Sequence, residues 1–257
     1  MKKHIPNLFT LLNLFLGCLA VLFILQPGLS LTVSVEGDNL VVLPEKMVLA
    51  SWCIFAAAAV DFLDGFVARW MKLPSELGKQ LDSLADLVSF GVAPGFIILQ
   101  FLRFCFSQEA GGLDISTLWL LPALLIPCAG AYRLARFNLD KSQQFGFKGI
   151  PIPAVGIFIA SLPLAYWYAK DEWVVNLLMN KWCWYALILV FCYGMISSLP
   201  MLALKFNGLN LKKAIPFLII LTVSVVIALI FGWLSISVGF FTYVILSLLF
   251  HKQTQQS

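Results

Sequence analysis

The residues that could do chemistry in this sequence are four aspartates, Asp61, Asp64, Asp82 and Asp86, in a stretch that also holds Gly65, Ala68, Arg69 and Gly78. Asp61 and Asp64 stand three apart and Asp82 and Asp86 four apart, so each pair occupies one face of a helix. Carboxylates gathered in this way cannot all carry charge at short range without a counter-ion. A divalent cation supplies one, and hard Mg2+ or Mn2+ prefers oxygen ligands that it shares with substrate phosphates. Two such ions can bridge a diphosphate and stabilise both the attacking and the leaving oxygen. Arg69 can fork onto a phosphate, and Gly65 removes a side chain where a ligand or a helix must come close. No covalent nucleophile stands beside a base, and the two histidines, His4 and His251, lie at opposite ends of the chain. The chemistry expected is direct displacement, with one carboxylate as general base. The plainer alternative is a set of interfacial acids paired with Arg69, Lys72 and Lys79.

The elements that must position these acids are membrane helices. The 257 residues are 61% hydrophobic and 12% charged, with a mean hydropathy of +0.92, whereas a soluble domain carries about 25% charged residues. The expected fold class is an all-α polytopic membrane protein, in which an ionisable residue at bilayer depth is expensive enough to be a functional candidate. The six cysteines are scattered without a C-x-x-C pair, so neither a disulfide framework nor a zinc site is expected. Nothing points to a nucleic-acid partner. Eight spans of about 20 residues each, the length a bilayer core requires, are expected near 5–27, 47–70, 80–104, 117–138, 151–169, 182–204, 213–233 and 234–250. The first is read as a retained helix rather than a cleaved signal, because Asn7, Thr10 and Asn13 interrupt it. Loop 28–46, with a β-like run at Leu31–Glu36, caps the outer side.

Loop charges set the expected orientation. With the N-terminus cytoplasmic, 13 of the 17 lysines and arginines fall inside, and an even number of spans returns the basic tail to the same side. Trp167, Trp173, Trp182 and Trp184 form an outer aromatic belt. This N-in/C-in layout puts the aspartates at the cytoplasmic ends of spans two and three. A turn through Pro74 and Gly78 makes those spans antiparallel neighbours across which the acids converge. Asp61 lies nine residues before Trp70, about 13 Å at the helical rise, so the site is expected in a cavity just below the interface.

The run Asp61 to Asp86 resembles the signature of the CDP-alcohol phosphatidyltransferase family, D-x2-D-G-x2-A-R-x8-G-x3-D-x3-D, at all eight fixed positions. The family cleaves the diphosphate of a CDP-linked lipid: an alcohol attacks the lipid-side phosphorus and CMP leaves. The resemblance implies that Asp61, Asp64 and Asp82 hold two metal ions, Mg2+ or Mn2+. It implies that Asp86 touches the second metal and takes the proton of the acceptor alcohol. Gly65, Ala68, Arg69, Ser75 and Gly78 would lie against the CDP-lipid. It further implies a six-helix core over 1–205, to which 206–257 adds a transmembrane hairpin and a short cytoplasmic tail, and a homodimer in a bacterial inner membrane.

Three further stretches are similar to the phosphatidylserine synthase branch of that family: Ile5–Asn13, Tyr132–Asn138 and Phe147–Ala154. The branch would use CDP-diacylglycerol and L-serine. The stretch before Pro200 lacks the arginine often found there in the branch. L-Serine brings a carboxylate that needs a cation, and Arg133, Arg136 and Lys148 are the candidates near the aspartates. Glycerol 3-phosphate or an inositol acceptor would also want cations, and Arg133 and Arg136 have an alternative as topogenic charges at the lipid surface. Asn7 and Thr10, with Asn13, are either a polar wall against cytidine or helix–helix hydrogen-bonding groups. A rival of another class is a cation transporter using the aspartates as an ion path. That requires acids spread through the bilayer depth, whereas these cluster at one end of one helix pair. Aspartate-rich prenyltransferases normally carry two such motifs, and this sequence has one.

Overall fold

The computed structural model describes residues 5–26, 30–33, 39–71, 76–109, 114–139, 147–169, 171–201 and 232–254, with Thr222 and Ile227. Within these the protein is a bundle of helices with two small antiparallel strand pairings. Helix α1 (Ile5–Leu25) carries Pro6 in its first turn, where a missing N–H costs nothing. Strands β1 (Ser30–Val33) and β2 (Asn39–Val42) pair antiparallel, Ser30 opposite Val42. Helix α2 (Lys46–Met71) is the long helix that carries Asp61 and Asp64.

Helix α3 (Glu76–Asp86) continues without a break through a π-helical turn (Leu87–Val92) into α4 (Ala93–Ser107). The Ala93 N–H bonds back to the Val88 carbonyl, the five-residue spacing of a π turn. Pro94, next in the chain, has no N–H to continue the ordinary ladder. Such single turns rotate a helix's register and gather at functional sites. Here the turn begins directly after Asp86.

Two 3-10 turns (Thr117–Trp119, Leu121–Leu124) precede helix α5 (Leu125–Leu139). The expected span 117–138 is thus α-helical only in its second part, because Pro122 cannot donate to an α ladder. Strand β3 (Phe147–Lys148) pairs antiparallel with β4 (Pro200–Met201). Gly149, between β3 and α6 (Ile152–Trp167), has φ +78°, and a Cβ there would lie 2.5 Å from the Met195 carbonyl oxygen. Only glycine fits this close left-handed turn, which ties the loop to the end of α8 (Lys181–Ile196) through Gly149 N–H to Leu199 O (2.8 Å) and Ile150 N–H to Gly194 O (2.9 Å). The short α7 (Glu172–Leu178) meets α8 at 68°. Asn180 caps α8 by accepting from the Trp182 N–H at 3.0 Å. The last helix is α9 (Leu234–Thr254).

Among the described residues, three helical stretches are long and apolar enough to cross a membrane: Asn7–Leu25, Lys46–Gly65 and Glu76–Ser107. The bent α7–α8 pair makes a fourth candidate, and Ile152–Trp167 and Leu234–Leu249 are shorter apolar helices. The chain is therefore a mostly helical membrane protein. The expected span 213–233 and the core boundary at 205/206 lie outside the described residues, apart from single positions. So do Lys72, Pro74, Ser75, Lys141 and the centre of loop 28–46.

The bundle has two ends. At one, α1 meets the end of α2 and the end of α3, and the end of α5 is bonded to α3 and to the end of α8. At the other, Trp233 at the head of α9 packs edge-on to Trp52 of α2 (5.4 Å) and against Tyr168 after α6 (6.4 Å). The α9 helix is seated on α6 and α8 by Phe240, which touches Phe158 (5.1 Å) and Phe191 (5.6 Å), and by the buried hydroxyl pair Ser161–Ser237 (3.4 Å). The core between the ends is aliphatic and aromatic, with Trp184, Phe90, Phe101, Phe104 and Phe191 among its largest buried side chains.

Candidate active site

The acids meet at the first end, and α1 is the element that joins them. Helices α2 and α3 pack far more against α1 than against each other. Thr10 Oγ1 of α1 donates to Asp64 Oδ2 at 2.9 Å. One turn on, Asn13 Nδ2 donates to Asp86 Oδ1 at 3.2 Å. The same turn of α1 is held to the π segment: Ser89 Oγ donates to the Asn13 carbonyl at 3.0 Å. Gly17 permits that approach, since a Cβ on it would sit 2.8 Å from Ser89 Cα.

Asp61, Asp64 and Asp82 each offer a carboxylate oxygen, and the three oxygens lie within 4.8 Å of one another. Asp64 is buried and the other two half-buried. Asp86 is buried beside them, with Asp61 in hydrogen-bonding reach of both Asp82 and Asp86. The Lys181–Glu109 ion pair lies elsewhere and touches none of the four aspartates. Three carboxylates this close need positive charge between them. Asp82 Oδ1 is buried with no hydrogen-bond partner, so the cluster has an unused ligand atom. A donor set made wholly of carboxylate oxygen suits Mg2+ or Mn2+. The residues present therefore fit a divalent cation.

The other sequence candidates fall in different places. A Cβ added at Gly65 would meet nothing among the described residues within 4 Å. Gly78 is the third residue of α3 and not part of the connecting turn, because the helix already begins at Glu76. Ala68 and Arg69 stand in the last turns of α2, and their side chains, like the whole of Ser75, lie outside the described residues. Asn7 is half-buried on α1.

Arg133 is buried in α5, within electrostatic reach of Asp86 and of Tyr243 on α9, and 6.0 Å over the Phe137 ring. Arg136, one turn on, is turned elsewhere: its Nη1 donates to the Ile196 carbonyl at 3.0 Å and so closes the C-terminal end of α8. Lys148 is exposed on β3. Lys79 Nζ donates to the Asn138 carbonyl (3.3 Å), and Asn138 Nδ2 to Ser83 Oγ (2.8 Å), binding α3 to the end of α5.

Two residues near the site escape a reading of the sequence. Ser89 is a lone hydroxyl in the apolar run Leu87–Val92, a signal that could have marked it. Tyr243 sits in an apolar helix and meets Arg133 only because α9 is seated on α6.

The chain is similar in sequence to known proteins. A CDP-diacylglycerol–serine O-phosphatidyltransferase of Helicobacter pylori (strain J99) is 34% identical over 156 residues, 60% of this chain and 54% of that protein. One of Bacillus subtilis (strain 168) is 34% identical over 113 residues, 44% of this chain and 59% of that protein. One of Mycobacterium leprae (strain TN) is 29% identical over 233 residues, 80% of this chain and 73% of that protein. The chain thus spans little more than half the length of the first two of these relatives. The profile of the CDP-alcohol phosphatidyltransferase family matches residues 3–192, which takes in α1, all four aspartates and Arg133. On that match over most of its length, the chain belongs to the CDP-alcohol phosphatidyltransferase family.

Proposed function

We propose that this protein is a phosphatidylserine synthase: it transfers the phosphatidyl group from CDP-diacylglycerol to the hydroxyl of L-serine and releases CMP. The observation that carries the reading is the meeting of the Asp61, Asp64 and Asp82 carboxylates within 4.8 Å, beside the buried Asp86. It is supported by the relatives, which are serine O-phosphatidyltransferases. Asp61, Asp64 and Asp82, with Asp86 at the edge, would hold Mg2+ or Mn2+, two ions in the fullest form. Bound there, the metal supplies the positive charge that a diphosphate needs.

The chain's own residues do the rest. Thr10 fixes the orientation of Asp64 and Asn13 that of Asp86. Asp86 takes the proton of the serine hydroxyl. That oxygen forms a bond to the lipid-side phosphorus, the bond from that phosphorus to the bridging oxygen breaks, and CMP leaves with the electron pair. Arg133, buried and within electrostatic reach of Asp86, holds the serine carboxylate. Gly65, Ala68, Arg69, Ser75, Gly78, Asn7 and Thr10 form the CDP-lipid side of the pocket, and the open space beside Gly65 suits a ligand there. Arg136 and Lys148 supply the surrounding positive field.

The proposed setting is a bacterial inner membrane with the site on the cytoplasmic face. The protein would be a homodimer of eight-span N-in/C-in subunits, with a core over 1–205 and an added hairpin over 206–257. The assay is CMP release by purified protein with CDP-diacylglycerol and Mn2+, with and without L-serine, glycerol 3-phosphate, inositol and inositol phosphate. Release that depends on L-serine is expected. Release with another acceptor alone overturns the serine assignment, and no release with any acceptor from folded protein overturns the transferase reading.

A further inference from the structure

Among the described residues, four buried side-chain polar atoms have no hydrogen-bond partner: Asn13 Oδ1, Asp82 Oδ1, Arg133 Nε and Trp167 Nε1. Buried polar groups are normally paired, and an unpaired one costs stability. Three of the four belong to residues around Asp86, which marks that spot as one where a ligand completes the bonding. Asp82 Oδ1 is part of the carboxylate cluster. The other two are opposite in character, since an amide oxygen accepts and a guanidinium Nε–H donates.

The direction of Asn13 Oδ1 is set by its surroundings. A carboxylate accepts, so the amide must turn its NH2 to Asp86 and its oxygen away. The side chain has no room to rotate, being 0% exposed, and its backbone is fastened to Ser89 over Gly17. Buried Arg133 lies within electrostatic reach of the same carboxylate. An unpaired acceptor and an unpaired donor, both buried, therefore belong to residues that interact with the same base.

We propose that Asn13 Oδ1 receives the ammonium group of the acceptor, so that Asn13, Asp86 and Arg133 together read an α-amino acid: ammonium, hydroxyl proton and carboxylate in turn. The inference rests on the reading of the chain as a transferase to L-serine, and adds to it the residue that separates an amino-acid acceptor from a polyol phosphate. The first brings a charged N–H donor to Asn13 Oδ1, whereas the second offers that buried oxygen only a neutral hydroxyl, a weaker partner. The amide does two jobs at once, since the bond that holds Asp86 also aims the oxygen at the amine.

The test pairs a variant with an altered acceptor. With CDP-diacylglycerol and Mn2+, kcat/KM is measured for L-serine and for 3-hydroxypropanoate, which is serine without its amine, in wild type and in Asn13→Ala. Wild type is expected to prefer L-serine by a factor that falls about thirtyfold in the variant, the weight of one hydrogen bond to a charged group. In Arg133→Ala that preference persists, while discrimination against ethanolamine, which lacks the carboxylate, is lost. Equal losses of both acceptors in Asn13→Ala would leave Asn13 as a holder of Asp86 only and overturn the proposal. If Asn13→Ala no longer binds CDP-diacylglycerol, the same ratio is read in the smaller polar variant Asn13→Ser. An enzyme that turns over another acceptor and not L-serine fails the functional reading itself, a result the wild-type assay alone reveals.

Discussion

The two ends of the bundle are built from opposite principles. At the far end, Trp167 Nε1 is the one buried side-chain polar atom among the described residues that lacks a partner. Lys181 Nζ sits 2.5 and 2.8 Å from the two Glu109 oxygens, and Tyr185 Oη donates to the Trp119 carbonyl at 2.7 Å. Trp184 Nε1 donates to the Leu178 carbonyl at 2.8 Å, and Gln100 Nε2 to that of Ile24 at 2.9 Å. Rings fill the space between, as in the stacked pair Phe101–Trp184 at 4.5 Å. At the aspartate end, like charges crowd together, and three buried polar atoms lack partners. One end is arranged for cohesion. The other holds unspent bonding capacity that α1 and the π turn keep in place.

That contrast can be broken by substitution at each end. The largest effect expected is on turnover: Asp82→Asn should lower kcat by about a thousandfold or more, as loss of a preorganised charge does. The same change should leave thermal unfolding equal or raised, because it relieves like-charge crowding. A variant that loses activity only by unfolding would erase the distinction between the ends. Phe101→Ala should do the reverse, costing about 3–5 kcal/mol of stability through a cavity while the KM for both substrates stays put in the folded fraction.

Smaller effects sharpen the picture. Mn2+ at a hundred times its Kd should stabilise the wild type by about 2.7 kcal/mol, and Asp61→Asn combined with Asp82→Asn should abolish that shift. An equal shift in the double variant would place the metal elsewhere. Thr10→Val removes one hydrogen bond to Asp64, worth about 1 kcal/mol, and should raise the Mn2+ concentration needed for half-maximal rate several-fold. Lys181→Ala breaks a surface pair and should cost under about 1 kcal/mol, with no change in the metal titration.

Much of this was legible in the chain itself. Asp61 with Asp64 and Asp82 with Asp86 share helix faces because 3.6 residues make a turn, and that rule needs no knowledge of the fold. Apolar runs long enough for a bilayer located α1, α2 and the α3–α4 rod to within a few residues. Helix α8 was less legible. It stops at Ile196, short of the expected 204, where Ser197 turns the chain to extended backbone and its hydroxyl bonds back to the Gly194 carbonyl at 2.9 Å before β4 pairs with β3.

What the sequence by itself determined is local: which residues are acids, which face of a helix each occupies, and which stretches must be helical in lipid. Only the tertiary structure decided which polar groups meet. Thr10 reaches Asp64 across 54 residues and Asn13 reaches Asp86 across 73, both through α1. Arg133 lies buried within electrostatic reach of Asp86 while Arg136, on the next turn of the same helix, is taken up by the end of α8. Residue type states what a side chain can donate or accept. Its partner depends on helix packing and on the rotation introduced at the π turn, neither of which is encoded at a fixed spacing along the chain.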